Sequence, residues 1–168
     1  MRILGLDPGL ATVGYGVVDV LGPRELSCVS YGSIKTESHQ PFSLRLQIIF
    51  DDLKEILTRY EPSEAAVERL FFNQNVTTGI QVSHARGVIL LRLQLENISL
   101  FEYTPLQIKS RLTGYGHAQK HQIQNMVQRI LNLDHTPKPD DAADGLAVAI
   151  SHYYSRMTEI HNKAQKNA

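Results

Sequence analysis

The sequence predicts an α/β domain built on one five-stranded mixed sheet with helices on both faces. Three observations point there. The first third of the 168-residue chain sets Gly and Pro between short runs rich in Val, Ile and Leu. Apolar residues then change to a helical period. Two further short apolar runs, at residues 65–68 and 98–103, fall between the helical stretches. Strands first, then strands alternating with helices, give one mixed sheet.

Each element has its own signal. Arg2 to Asp7 is an apolar run stopped by Pro8-Gly9, a strong turn. Thr12 to Val20 is rich in valine and glycine and closes at Leu21-Gly22-Pro23. Leu26 to Thr36 resumes with Val29, Tyr31 and Ile34 near alternation, so the three form an antiparallel meander. Leu44, Ile48, Leu53, Ile56 and Leu57 recur at helical spacing, an amphipathic helix ending near Tyr60 before Glu61-Pro62. Ala65 to Glu68 is a short buried strand, Leu70 to Asn75 an irregular stretch, Val76 to Leu95 a long helix, and Ile98 to Tyr103 the fifth strand. Thr104-Pro105 places an N-cap before a proline at the first helical position, and that helix stops at Gly114-Tyr115-Gly116. Another helix runs from Ala118 to Leu131. The last begins at Asp140, whose simplest role is the N-cap. Residues 1–156 form the folded domain, and 157–168 are a polar tail expected to fray.

Composition narrows the class. Apolar residues are 42% and charged residues 20%, which excludes wholesale disorder and a disulfide-dense miniprotein. Cys28 is the only cysteine, so no intrachain disulfide forms and a reducing compartment is expected. The most apolar stretch, Val88 to Leu95, is interrupted by Arg92 and too short to span a membrane. Asp7, Pro8 and Gly9 break the N-terminal apolar run, so no signal peptide is expected there. A cytoplasmic protein is expected.

The net charge of zero conceals a division. Residues 1–68 carry 10 Asp and Glu against 6 Lys and Arg; residues 69–133 carry 2 against 7; residues 134–168 carry 5 against 4. From Tyr103 to Leu133 there is no acid. An acid-poor middle between acidic ends either places a basic surface beside anionic side chains or reflects clustering on solvated helix faces.

Four acids stand where chemistry would want them. Asp7 ends the first strand and Glu68 the fourth. Asp141 and Asp144 lie in Asp140-Asp141-Ala142-Ala143-Asp144-Gly145, one turn apart on one helical face. Each alone has a simpler role: an Asx turn for Asp7, a solvated strand end for Glu68, and first-turn acids on the helix dipole for the pair. Like charges one turn apart repel, however, and their small neighbours let the helix press on a sheet. The joint pattern points to a divalent cation such as Mg²⁺, which takes oxygen ligands from a few carboxylates and leaves positions for water and phosphate. Four carboxylates from three elements have the capacity for two such ions.

At this point the residues are recognisable. Ile3-Leu4-Gly5-Leu6-Asp7-Pro8-Gly9 with Gly14-Tyr15-Gly16 resembles the opening of the RuvC-type Holliday-junction resolvases. The resemblance continues through Val67-Glu68, Phe71, Ala85-Arg86-Gly87, Lys109, Gly114, Gly116, Ala118, Lys120, Gln122, Met126 and Val127, and closes with Asp141-Ala142-Ala143-Asp144. The opening alone is shared with related nucleases and actin-like ATPases; the ordered set is specific.

The resemblance implies a ribonuclease-H-like nuclease domain over residues 1–156, resolving four-way DNA junctions as a homodimer beside a branch-migration helicase complex. It implies that Asp7, Glu68, Asp141 and Asp144 are catalytic and bind two divalent metals, Mg²⁺ with Mn²⁺ as substitute. Lys109 and Lys120 match basic positions near the scissile strand, and Lys120 serves either in catalysis or in phosphate contact. Phe71 matches an aromatic used against junction bases. Phe72 follows it directly, so one of the two stacks on bases and the other joins the core. Arg86 is carried over as a DNA contact. The aliphatic residues of the 76–95 helix cover more than one face in its second half, either as a dimer interface or as burial under the sheet.

Overall fold

The computed structural model describes residues 1–69 and 76–166. The irregular stretch expected at Leu70 to Asn75, which contains Phe71 and Phe72, lies outside the described residues.

Three strands, β1 (Arg2–Asp7), β2 (Thr12–Gly22) and β3 (Glu25–Lys35), form the expected meander. Helix α1 (Phe42–Tyr60) carries the chain over one face to β4 (Glu64–Glu68), and α2 (Val76–Leu95) leads to β5 (Ser99–Tyr103). Helices α3 (Pro105–Thr113), α4 (Lys120–Ile130) and α5 (Asp140–Lys166) complete the fold. Sheet order is β3-β2-β1-β4-β5, with β4 parallel to both β1 and β5. The parallel pairs follow from the helical crossovers, which bring the chain back to the same end each time.

Period-2 alternation divides the core in two. Leu4, Leu6, Ala65 and Val67 face α1 and α2, where they meet Ile49, Leu53, Ala85 and Ile89. Ile3 and Ala66 face the other way, onto α5 and its neighbours. Helix α5 lies close against the sheet because glycine allows it: a Cβ on Gly16 would stand 2.6 Å from the Cα of Leu146.

Boundaries differ from expectation in instructive places. Helix α1 starts at Phe42, directly after Pro41, which stands at the N-cap without a side-chain capping bond. Thr104 caps α3 as expected, through a reciprocal capping box with Gln107. Asp140 is a correction. It is the first helical residue of α5 rather than its N-cap, and its carboxylate turns to Lys138 Nζ at 3.3 Å. The frayed tail is another. Helix α5 runs on through Arg156 to Lys166, its exposed end supported by an Arg156–Glu159 pair at 3.7 Å and a Gln165–His161 bond. Lys, Gln and Ala are good helix formers, so polarity there marks exposure rather than loss of helix.

Candidate active site

Strands β1 and β4 are parallel neighbours, so their C-terminal ends lie together and bring Asp7 beside Glu68. Asp7 pairs in register with Gly14 of β2. A Cβ on Gly14 would stand 2.6 Å from the carbonyl carbon of Asp141, so this glycine is what lets the start of α5 reach the strand end. One carboxylate oxygen each from Asp7, Asp141 and Asp144 lies within 4.8 Å of the others. Glu68 stands outside that trio but lines the same cleft, about 270 Å³ in volume, with Asp7 and Asp144. Lys109 from α3 and Lys120 from the first turn of α4 line it as well.

The charges are arranged unfavourably for a protein alone. Burial, then the charges of Asp144 and Asp141, push Asp7 up to about 7 against the pull of Lys120. Burial, then Asp7 and Asp144, push Glu68 up to about 8, with Lys109 opposing. Asp144 is raised as well, by burial above all. Lys120 Nζ stands 3.3 Å from Asp144 and 3.8 Å from Asp140. Burial works against its charge, but the surrounding carboxylates outweigh it and raise its pKa. Half of the Lys120 side chain remains exposed.

This donor set fits a divalent cation. It offers only carboxylate oxygens, at the spacing shared ligands need, and a bound cation would offset the repulsion that raises Asp7 and Glu68. The arrangement suits hydrolysis of a phosphodiester: carboxylates for a hard cation, two lysines for phosphoryl charge, and an open cleft for a strand.

The expected residues therefore divide. Asp7, Asp141 and Asp144 converge, Glu68 joins them at the cleft wall, and Lys109 and Lys120 line the same cleft. Arg86 lies elsewhere: on α2, its guanidinium paired with Glu102 of β5. Glu102 escaped the sequence reading, although a lone acid inside a strand of the acid-poor middle was a usable signal.

Comparison with known proteins bears on this geometry. The family model for crossover junction endodeoxyribonuclease RuvC matches residues 3–152. The crossover junction endodeoxyribonuclease RuvC of Brevibacillus brevis is 53% identical over 152 residues, covering 90% of this chain and 91% of that protein. The structure of Thermus thermophilus RuvC in complex with Holliday junction substrate superposes with a TM-score of 0.88 at 34% identity, covering 94% of this chain and 96% of that one. A yeast mitochondrial Holliday junction resolvase shares the fold at 13% identity, with a TM-score of 0.70 over 99% of this chain and 86% of that one.

Proposed function

The chain belongs to the RuvC family of crossover junction endodeoxyribonucleases, and from that premise we propose how its residues divide the work. It has the ribonuclease-H-like fold and resolves four-way DNA junctions in homologous recombination and repair, hydrolysing phosphodiesters with divalent metal. The observation that carries this reading to residue level is the convergence of Asp7, Asp141 and Asp144 beside a cleft that Asp7 and Asp144 share with Glu68, Lys109 and Lys120.

Asp7, Glu68, Asp141 and Asp144 would hold the metal, with carboxylates enough for two Mg²⁺ ions, from a strand pair and a helix pressed on the sheet. Bound there, the metal supplies charge neutralisation at the phosphoryl oxygens and a more acidic water. Lys120 leaves Asp144 for the phosphate and holds positive charge where negative charge develops, which stabilises the transition state more than the ground state. Lys109 binds the strand in the same cleft. Phe71 stacks on a base at the crossover.

The chain acts as a homodimer, which matches two equal sites to two equal strands. Support comes from the α1–α2 face. Ile80, Leu91 and Leu95 of α2 and Phe42 and Leu44 of α1 are exposed, and an apolar groove of about 580 Å³ runs between the helices past Ile80, Val88 and Leu91. Aliphatic exposure on this scale marks an interaction surface. Leu91→Glu should yield a monomer by light scattering. No described helix is long and apolar enough to cross a membrane, and we place the protein in the cytoplasm, beside a branch-migration helicase.

The test is purified protein on a synthetic four-way junction and on the matching linear duplex, each with Mg²⁺, with Mn²⁺ and with chelator. Paired cuts confined to the junction and abolished by chelation are expected. Equal cutting of the duplex, or cutting that survives chelation, would overturn the reading.

A further inference from the structure

Three charges gather on the face of the sheet opposite the acidic cleft, at the same end of the strands. Alternation along β4 sends Ala66 toward α5 and Val67 toward α1 and α2, so Glu68 points to the cleft and Arg69 to the α2 side. The Arg69 N–H donates to the Tyr103 carbonyl at 2.8 Å. That bond extends the β4–β5 ladder one residue past the Glu68–Tyr103 pair and fixes where Arg69 leaves the sheet. Glu102, next to Tyr103, shares its carboxylate between two guanidiniums. Arg86 of α2 pairs with Oε1, and Arg69 Nη2 stands 3.9 Å from Oε2. One carboxylate between two arginines leaves a positive charge over. The Arg86 side chain is 23% exposed and that of Arg69 55%, so Arg69 presents the excess charge to solvent.

We infer that Arg69 binds a phosphate of the junction strand beside the scissile one, and that Arg86 positions it there through Glu102. The inference rests on the junction-resolvase reading above. Consecutive Cα atoms lie about 3.8 Å apart, so the guanidinium starts one residue from a carboxylate of the cleft. A planar fork of N–H donors matches a phosphate, and at 3.9 Å its hold on Glu102 is loose enough to be exchanged for one. Glu68 and Arg69 thus face opposite ways at one strand end, the carboxylate into the cleft and the cation toward the next phosphate. Arg86, expected from the sequence to touch DNA itself, becomes a positioning residue.

The test measures binding of a fluorescent four-way junction across a salt series without divalent metal, with melting temperatures alongside. Arg69→Ala should bind several-fold more weakly, with the log–log salt slope reduced by about 0.9 for one lost phosphate contact, and should melt as wild type. Arg69→Lys should keep the slope and recover part of the affinity. Glu102→Gln is the discriminating variant. Removing an acid should tighten binding if only net charge matters, whereas loss of positioning weakens it despite the added charge. Weaker binding by a folded Glu102→Gln supports the assignment; tighter binding overturns the role of Glu102. An unchanged slope in Arg69→Ala overturns the assignment of Arg69, while wild type still prefers and cuts junctions. A wild-type chain with no preference for junction over duplex would instead sink the functional reading itself.

Discussion

Strand β4 carries a glutamate at each end, on the same face, and the fold treats the two in opposite ways. Glu64 meets a complete set of partners: His152 Nε2 at 2.6 Å and Arg156 at 3.2 Å. His152 is fully buried, its other ring nitrogen bonded to the Tyr103 hydroxyl at 2.8 Å and its ring 4.4 Å from that of Phe101. Glu68, four residues on, faces Asp7 and Asp144 and is pushed up to about 8. A buried polar group with partners locks a core, whereas one set among like charges costs stability until a cation arrives. One strand therefore ends in a bolt at one side and a cluster of like charges at the other, and helix α5 supplies partners to both.

The largest effect should come from breaking the charged end. Asp7→Asn removes a trio member without changing its shape, so cleavage should fall by about 10²–10³ or more while junction binding persists. The same change takes one charge out of the repelling set. The metal-free protein should therefore melt higher than wild type at pH 8. Wild-type cutting rates in Mg²⁺ would refute the site.

The bolted end should answer in stability instead. His152→Ala leaves Glu64 and the Tyr103 hydroxyl without their partner in the core. A loss of about 3 kcal/mol follows, or roughly 6–12 °C in melting temperature for a chain of this size. Cleavage by the folded fraction at low temperature should change far less than in Asp7→Asn. If it falls as far, the two ends of β4 are not separate devices.

How much of this was legible in sequence depends on the range of the signal. Strand order in the meander, the caps at Thr104 and Gly114, and the acids at strand ends all announce themselves through neighbours a few residues away. Convergence of Asp7 with Asp141 and Asp144 was inferable because two strand ends and a helix start are places where a sheet gathers side chains. The bolt was not. Glu64 and His152 are 88 residues apart, and nothing local distinguishes that glutamate from a solvated one. Arg86 shows the same limit: its partner Glu102 belongs to another element, so the motif around it reported a residue worth keeping but not what it touches. The helical end of α5 was hidden by its polarity, which reports exposure and not conformation.

Acidity should separate the ends again, by a smaller shift. Without metal, Asp7 and Glu68 are held above their ordinary values, so the fold favours their protonated forms. Stability from that end is full below the ordinary carboxylate range and falls as pH rises through about 7 and 8. His152 is displaced downward by burial, with Glu64 pulling against it. Its contribution is present above its ordinary value of 6.5 and is lost as pH falls. Saturating Mg²⁺ should therefore raise the melting temperature by roughly 5 °C at pH 8 and much less at pH 5.5, where Asp7 and Glu68 hold protons. Equal shifts at the two pH values would contradict the assignment of the metal to these carboxylates.

The smallest effect is expected at Asp140, and it decides where the charged end stops. Asp140 neighbours the Asp141–Asp144 pair in sequence, yet its carboxylate is bonded to Lys138 at 3.3 Å and reaches Lys120 only at 3.8 Å. It lines neither the trio nor the cleft. Lys120 is shared between Asp140 and Asp144, so Asp140→Asn returns the lysine wholly to Asp144, the partner it must leave to reach a phosphate. Cleavage should fall at most a few-fold, and the melting temperature should stay within about 2 °C of wild type, as for an exposed surface change. Lys120→Ala in the same background tells the cause. If Asp140 acts only through the lysine, the double variant should cut as Lys120→Ala does, and the two effects should not add. A loss of 10²-fold or more in Asp140→Asn alone would make Asp140 a fifth member of the acidic end, and the boundary between ligand and neighbour would move one residue toward the start of α5.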